Sequence, residues 1–349
     1  MKTMLACWLL WVAISPAVAV QPPAYDRPGP HRFVRFEFPD LIDVARDRRP
    51  VPMRVQAPAT GGPFPLVVMS HGAGGNVASG SYLAEHLASH GYVVLSLEHV
   101  YSNTRQVKFY MSRAGGSLKL MEAVHRVTKD TREVLGRPRD VSVAIDRAIE
   151  WNRSHPGLAG RIDTGRIGIM GHSFGAYTTL AVCGAQPIRD YLEPPLSPGT
   201  GLVGDLGDRR VSFGLAMSPQ SPGTTFFGKD SYGSVRCPLL LLTGSKDVQK
   251  RYDADTMPAG TRREAFALLP PGQKYFVWLD NADHMAFGDG SLLARSRARR
   301  DTQRITRALA LAAAERFLRD RPEADAALTE TYARTLLGRV VSDLEWLEK

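Results

Sequence analysis

Cysteine is almost absent: the 349 residues contain three, and Cys7 sits in the apolar N-terminal stretch. The other two, Cys183 and Cys237, cannot build a disulfide framework, so stability has to come from a buried core. An oxidising compartment would permit a bond between them, but free buried thiols are the expectation. No apolar run reaches the ~20 residues of a membrane-spanning helix. Internal repeats and low-complexity segments are missing. The net charge of +9 comes mostly from dispersed arginines, with no basic stripe interleaved with stacking aromatics, which argues against nucleic-acid binding. The densest basic cluster, Arg295 to Arg304, reads as the solvated face of a late helix. His86 and His90 have metal-binding spacing, but no third ligand accompanies them, so no metal site is expected.

What is present is an apolar fraction of 44%, ordinary charge content, and strand-like and helix-like runs in alternation. That pattern predicts an α/β domain with a mostly parallel sheet. Lys2, the apolar stretch Leu5 to Ile14, and Ala17-Val18-Ala19 predict a signal peptide over residues 1–19 and an exported mature chain. After it, 20–349 is expected to be one catalytic domain. His31 to Phe38 and Val51 to Gln56 are predicted as a hairpin. Pro65 to Ser70, Val93 to Leu97, Ile167 to Met170, Val211 to Met217, Pro238 to Leu242 and Tyr275 to Leu279 are predicted as buried strands. A helix is expected over Tyr82 to His90, ended by Gly91. Residues 101–139 are too long for a simple connection and predict a helical insertion, with a helix from about Leu118 to Leu135. Another helix should start at Asp140 as its cap, and a helical extension is expected over about 323–349.

The most informative stretch is Ile167 to Ala176, which places Gly171-His172-Ser173-Phe174-Gly175 between a buried strand and a helix. A serine at the tip of so tight a turn needs glycine two positions to either side, because side chains there would collide. Its hydroxyl then projects above the sheet at the positive end of the helix. On this motif, with Asp163-x-x-Arg166-Ile167-Gly168 before it, the chain resembles the α/β-hydrolase superfamily over roughly Pro65 to Leu318. Within it, the chain looks similar to bacterial dienelactone-hydrolase-like and platelet-activating-factor-acetylhydrolase-like esterases. True dienelactone hydrolases use cysteine as the nucleophile, whereas this chain has Ser173.

The resemblance implies an α/β-hydrolase fold with helices on both faces of the sheet, and an order of serine, acid, histidine along the chain. His284 is the only histidine after Ser173, which makes it the expected base. Asp247 ends a buried strand and is the expected acid. Asp253 and Asp255 lie further from the strand end, and Asp283 adjoins the histidine. Acyl transfer puts negative charge on a carbonyl oxygen, so two backbone N–H groups should face it. Phe174, after the nucleophile, and Ala73, in the loop His71-Gly72-Ala73-Gly74-Gly75, are the expected donors. That loop lacks a Gly-Lys-Ser/Thr ending, so it does not read as a nucleotide cradle. His172, Phe226, Phe227 and Met285 are candidates for the substrate pocket, with Tyr232 and Phe287 nearby.

These readings predict an exported serine hydrolase acting on carboxylic esters of short to medium acyl chains, or on lipid- or polymer-derived esters. The mechanism is two-step acyl transfer through an acyl-serine, with no metal or cofactor required. Expected partners are small-molecule or lipid esters, without nucleic acid and without stable membrane insertion once the signal is removed. Peptide or amide cleavage on the same triad, and a silent binding protein of this fold, are the alternatives.

Overall fold

The computed structural model describes residues 24–114, 119–250, 256–289, 296–337 and 344–349. The expected signal peptide, 1–19, lies outside the described residues, as do Asp253 and Asp255. The main sheet contains β1 (Phe33–Phe38), β2 (Met53–Pro58), β3 (Phe64–Ser70), β4 (Val93–Leu97), β5 (Ile162–His172), β6 (Val211–Met217), β7 (Leu239–Lys246), β8 (Lys274–Asp283) and β9 (Leu344–Glu348). Their order across the sheet is β1-β2-β4-β3-β5-β6-β7-β8-β9. Strands β4 to β8 run parallel through the centre, and β1, β2 and β9 make antiparallel edges. The central strands read as unbroken apolar runs because both faces are covered. Pro65 to Ser70 of β3 is buried throughout.

One face carries α1 (Ser81–Ser89), α7 (Arg297–Leu318) and α8 (Glu330–Leu337). Alanines 308, 310 and 312–314 of α7 are fully buried, so the small side chains let that helix lie close against the strands. The cluster at its start is only partly solvated: Arg299 is buried and donates through Nη2 to the Gly288 carbonyl at 2.6 Å. The other face carries α4 (Thr131–Ser154), α5 (Phe174–Val182) and α6 (Arg262–Leu268). Cys183 ends α5 and Cys237 precedes β7; both are buried free thiols.

Three expectations about the helices are corrected. The insertion after β4 forms α2 (Thr104–Arg113) and α3 (Lys119–Lys129), and the predicted helix over Leu118 to Leu135 is divided at Asp130. Asp130 caps α4, its carboxylate accepting from the Arg132 N–H at 2.8 Å. Helix α4 then runs straight through Pro138, where proline would ordinarily end it. Asp140 is therefore mid-helix and buried, accepting from Arg49 and His99 instead of capping. The C-terminal extension is also not all helix. After a 3-10 turn (Pro322–Ala327) and α8, residues Leu344–Glu348 form β9 and pair with β8, from Leu344 opposite Leu279 to Glu348 opposite Tyr275. An uncovered β8 would expose a row of unpaired backbone groups, and β9 satisfies them. Lys274 and Lys349 exchange both backbone hydrogen bonds, at 2.9 and 3.0 Å.

Leu344 anchors β9, with 3% of its surface exposed. Leu344→Ala should lower the unfolding free energy by about 2–4 kcal/mol in urea titration, the range for truncating a buried leucine. A change below about 0.5 kcal/mol, the size of an ordinary surface substitution, would show that β9 does not dock as described.

Candidate active site

The turn between β5 and α5 explains both glycines of the motif. A Cβ on Gly171 would stand 2.2 Å from the Gly175 carbonyl oxygen, and one on Gly175 would stand 1.9 Å from that of Ser70. Backbone occupies both places, so no rotamer change relieves the clash. Ser173 itself sits at φ +58°, ψ −118°, a region that costs a residue with a side chain roughly 1–3 kcal/mol. Its N–H donates to the Met217 carbonyl at 3.0 Å, which fixes the turn to β6.

The structure brings Ser173, His284 and Asp247 into one hydrogen-bonded line. His284 Nε2 lies 2.9 Å from Ser173 Oγ, and its Nδ1 lies 2.9 Å from Asp247 Oδ1. A carboxylate only accepts, so Nδ1 carries the ring proton and Nε2 is left to accept from the hydroxyl. His284 stands just past β8, after an irregularity in the pairing with β7 between Leu279 and Asp283, and its side chain is 37% exposed. Asp247 is fully buried. Thr243 Oγ1 donates to its Oδ2 at 2.8 Å, and Arg262 Nη2 donates to its Oδ1 at 2.8 Å. Burial alone would raise this carboxyl, but the Arg262 guanidinium and the His284 hydrogen bond outweigh it and hold the group well below the usual carboxylate range.

The loop from His71 to Gly75 passes directly beside the elbow. A Cβ on Gly72 would lie 3.3 Å from Ser173 Cβ and 3.2 Å from the His172 carbonyl oxygen. Phe174 is the first residue of α5, so its N–H belongs to the donors that have no partner within the helix. Ala73 packs against the cluster of Val107 of α2 with Ala123 and Val127 of α3, so the insertion rests on the loop that carries the expected second donor.

The pocket candidates separate. Phe226 and Phe227 are buried in an aromatic stack with Phe174, Tyr177 and Tyr232, so they back α5 instead of presenting an open surface. Met285 is 56% exposed beside His284. His172 donates from Nε2 to the His284 carbonyl at 2.7 Å, tying the histidine loop to the elbow. Burial, with His284 adding, pushes the His172 imidazole down to about 3. Sequence reasoning missed three contributors. Arg262 lies beyond a loop, with no spacing that marks it. Thr243 lies one residue past the predicted strand Pro238 to Leu242, with nothing local to mark it. Gln220 donates from its amide to the Ser173 carbonyl at 2.7 Å.

Arg262→Gln leaves the buried Asp247 charge without its cation, and should cost about 3–5 kcal/mol in urea unfolding. A loss under 1 kcal/mol would contradict the pairing. His172 stays neutral when folded but charges when unfolded below about 6.5. Its contribution is therefore complete above that pH and is lost as pH falls from there toward about 3. His172→Asn should flatten the stability-versus-pH slope between pH 6 and 4 by up to about 1.4 kcal/mol per unit. An unchanged slope would contradict the neutral assignment.

The sequence profile of the family "Platelet-activating factor acetylhydrolase, isoform II" matches residues 46–116, which carry β2 to β4 and the His71 to Gly75 loop. A platelet-activating factor acetylhydrolase of Cavia porcellus is 25% identical over 211 residues, covering 55% of this chain and 43% of the relative. That of Canis lupus familiaris is 25% identical over 142 residues, covering 35% of this chain and 32% of the relative. Cutinase 2 of Thermobifida cellulosilytica is 28% identical over 226 residues, covering 64% of this chain and 61% of the relative. The matches thus span from a third to about three fifths of these relatives. Together with the mostly parallel sheet and the strand-to-helix elbow, they show that the chain has the α/β-hydrolase fold and is similar to ester hydrolases built on it.

Proposed function

We propose that the protein is a serine hydrolase of carboxylic esters, with Ser173 as nucleophile, His284 as base and Asp247 as the acid that orients it. The observation that carries this reading is the unbroken line from Asp247 Oδ1 through His284 to Ser173 Oγ, two contacts of 2.9 Å each, on a strained elbow. In this mechanism His284 Nε2 takes the hydroxyl proton as Oγ attacks the ester carbonyl. The tetrahedral oxyanion is met by the N–H groups of Ala73 and Phe174. Collapse expels the alcohol, which receives the proton from His284, and leaves an acyl-Ser173. Water activated by the same imidazole then releases the acid. Asp247, kept ionised between Arg262 and His284, stabilises the transient imidazolium.

Export follows from the leader reading, and among the described residues no helix is long and apolar enough to cross a membrane. Short to medium acyl chains are the proposed substrates. The aromatic residues behind α5 are already packed against one another, which leaves them little surface to offer a long chain.

A fluorophosphonate probe should label wild-type protein at Ser173, and Ser173→Ala should abolish labelling and lower kcat about 10⁴-fold or more. A folded wild-type protein that neither labels nor hydrolyses p-nitrophenyl esters would overturn the reading. Across p-nitrophenyl esters of increasing length, kcat/KM should peak at short or medium chains; a maximum at long chains would overturn the acyl preference alone.

A further inference from the structure

Arg137, on α4, has no solvent-exposed surface, yet every nitrogen of its guanidinium is engaged. Nε donates to Thr178 Oγ1 at 2.9 Å, and Nη1 donates to Ser102 Oγ at 2.6 Å. Nη2 donates to Ser70 Oγ at 3.2 Å and to the His71 carbonyl. The planar group also lies over the Phe174 ring, 4.1 Å from its centroid. Thr178 Oγ1 in turn donates to the Phe174 carbonyl at 3.0 Å. One side chain thus touches both segments that carry the expected oxyanion donors, the root of the Ala73 loop and the first turn of α5.

The direction of the surrounding hydrogen bonds is forced. A guanidinium only donates and a carboxylate only accepts. Because the Asp140 carboxylate only accepts, His99 carries its ring proton on Nδ1, so its Nε2 accepts from Ser70 Oγ at 2.9 Å while that oxygen also receives from Arg137. His99 Nδ1 then donates to Asp140 Oδ2 at 2.8 Å, and Arg49 closes the far side of that carboxylate with two bonds of 2.8 Å. Ser70, His99 and Asp140 repeat the connectivity of Ser173, His284 and Asp247. However, the first three are 3%, 0% and 0% exposed, and a guanidinium occupies the serine oxygen. This line holds structure and meets no substrate.

What it holds is a peptide plane. The His99 N–H donates to His71 Nε2 at 2.9 Å, so His71 carries its proton on Nδ1 and donates it to the Gly72 carbonyl at 2.6 Å. The Gly75 N–H reaches the same carbonyl at 3.1 Å. In a trans peptide the C=O and the N–H of one unit point in opposite directions. Holding the Gly72 oxygen therefore aims the Ala73 N–H the other way. The partner unit is treated alike, because the Ser173 carbonyl is held by Gln220, Ala176 N–H and Tyr177 N–H, which aims the Phe174 N–H.

We propose that Arg137 is a positioning residue that sets the oxyanion hole, fixing the Ala73 loop and the Phe174 turn against one another from beneath. The proposal rests on the hydrolase reading above. Arg137 also balances charge: Arg49 and Arg137 face Glu133 and Asp140 in one buried group.

The test uses Arg137→Met, the charge-balanced Arg137→Met/Glu133→Gln, and Arg137→Lys, with Thr178→Val as a milder probe that stays folded if the others do not. Steady-state kinetics on a short p-nitrophenyl ester are set beside the inhibition constant of a trifluoromethyl ketone, whose adduct carries the oxyanion. Arg137→Met and the double variant should lose kcat about 10²-fold, as when one oxyanion donor is lost, with KM nearly unchanged. The ketone should weaken by the same factor as kcat/KM falls. Arg137→Lys should recover part of the loss, since an ammonium replaces only some of the donors. Thr178→Val should shift kcat and the ketone constant together by a smaller factor. Folded variants with wild-type kcat and ketone affinity would overturn the proposal, as would a loss confined to thermal stability. Wild-type protein without Ser173 labelling would instead overturn the hydrolase reading beneath it.

Discussion

At Gly175 the first turn of α5 passes so near the end of β3 that a single added carbon would lie 1.9 Å from the Ser70 carbonyl oxygen. This close passage of two backbones organises the site. It lets β5 turn into α5 at Ser173, with the strained φ of +58° that lifts the hydroxyl off the sheet. It also draws the loop beyond Ser70 alongside the elbow, so that a Cβ on Gly72 would crowd Ser173 Cβ at 3.3 Å. Ser173 and the loop are thereby placed by one contact and do not depend on two independent foldings. Such strain persists only where the surroundings over-determine it, and here β6, β3 and α5 each hold one side.

Polar groups beneath that contact carry a second constraint. Central sheets of this type are usually sealed by apolar side chains, yet the α4 face holds Arg49, Glu133, Arg137, Asp140 and His99 almost without water. Burial with Arg137 close by pushes the His99 ring down to about 3, so it serves as a neutral relay. Burial raises the Asp140 carboxyl less than the His99 hydrogen bond and Arg49 lower it, so it stays ionised. The group is rigid because each member's hydrogen-bonding direction is dictated by its neighbours, from a donor-only end to an acceptor-only end. A similar arrangement recurs around Asp247, where Arg262 donates to the carboxylate and to the backbone carbonyls of Asp247, Ser218 and Pro219.

The sheet and the elbow were legible in the sequence because they rest on local patterns. Continuous apolar runs marked β3 to β8, and the paired glycines marked a turn that only glycine can make. Ser173, His284 and Asp247 could be placed by strand ends and chain order, and the structure brings them together. What remained hidden depends on contacts distant in sequence. Arg137 falls inside the predicted insertion and Asp140 just past it, and nothing local reveals that Arg49, about ninety residues away, closes on Glu133 and Asp140. Asp140 was read as a cap since Pro138 imitates a helix boundary. The β9 strand was missed because Leu344 to Glu348 suits a helix as well as a strand, and the open edge of β8 decides. Phe226 and Phe227 have pocket-like composition, but their neighbours are the rings of α5.

The balanced group of Arg49, Glu133, Arg137 and Asp140 also bears on how this chain can change over generations. Removing one member of a buried ion group is severely destabilising, whereas replacing the whole group with apolar residues of similar volume is often neutral or better. The intermediate steps between those two states are the costly ones. Sequences drifting by single substitutions would thus be held on the charged side of a barrier whose far side is no less stable. A lineage of this kind would change elsewhere long before it altered α4.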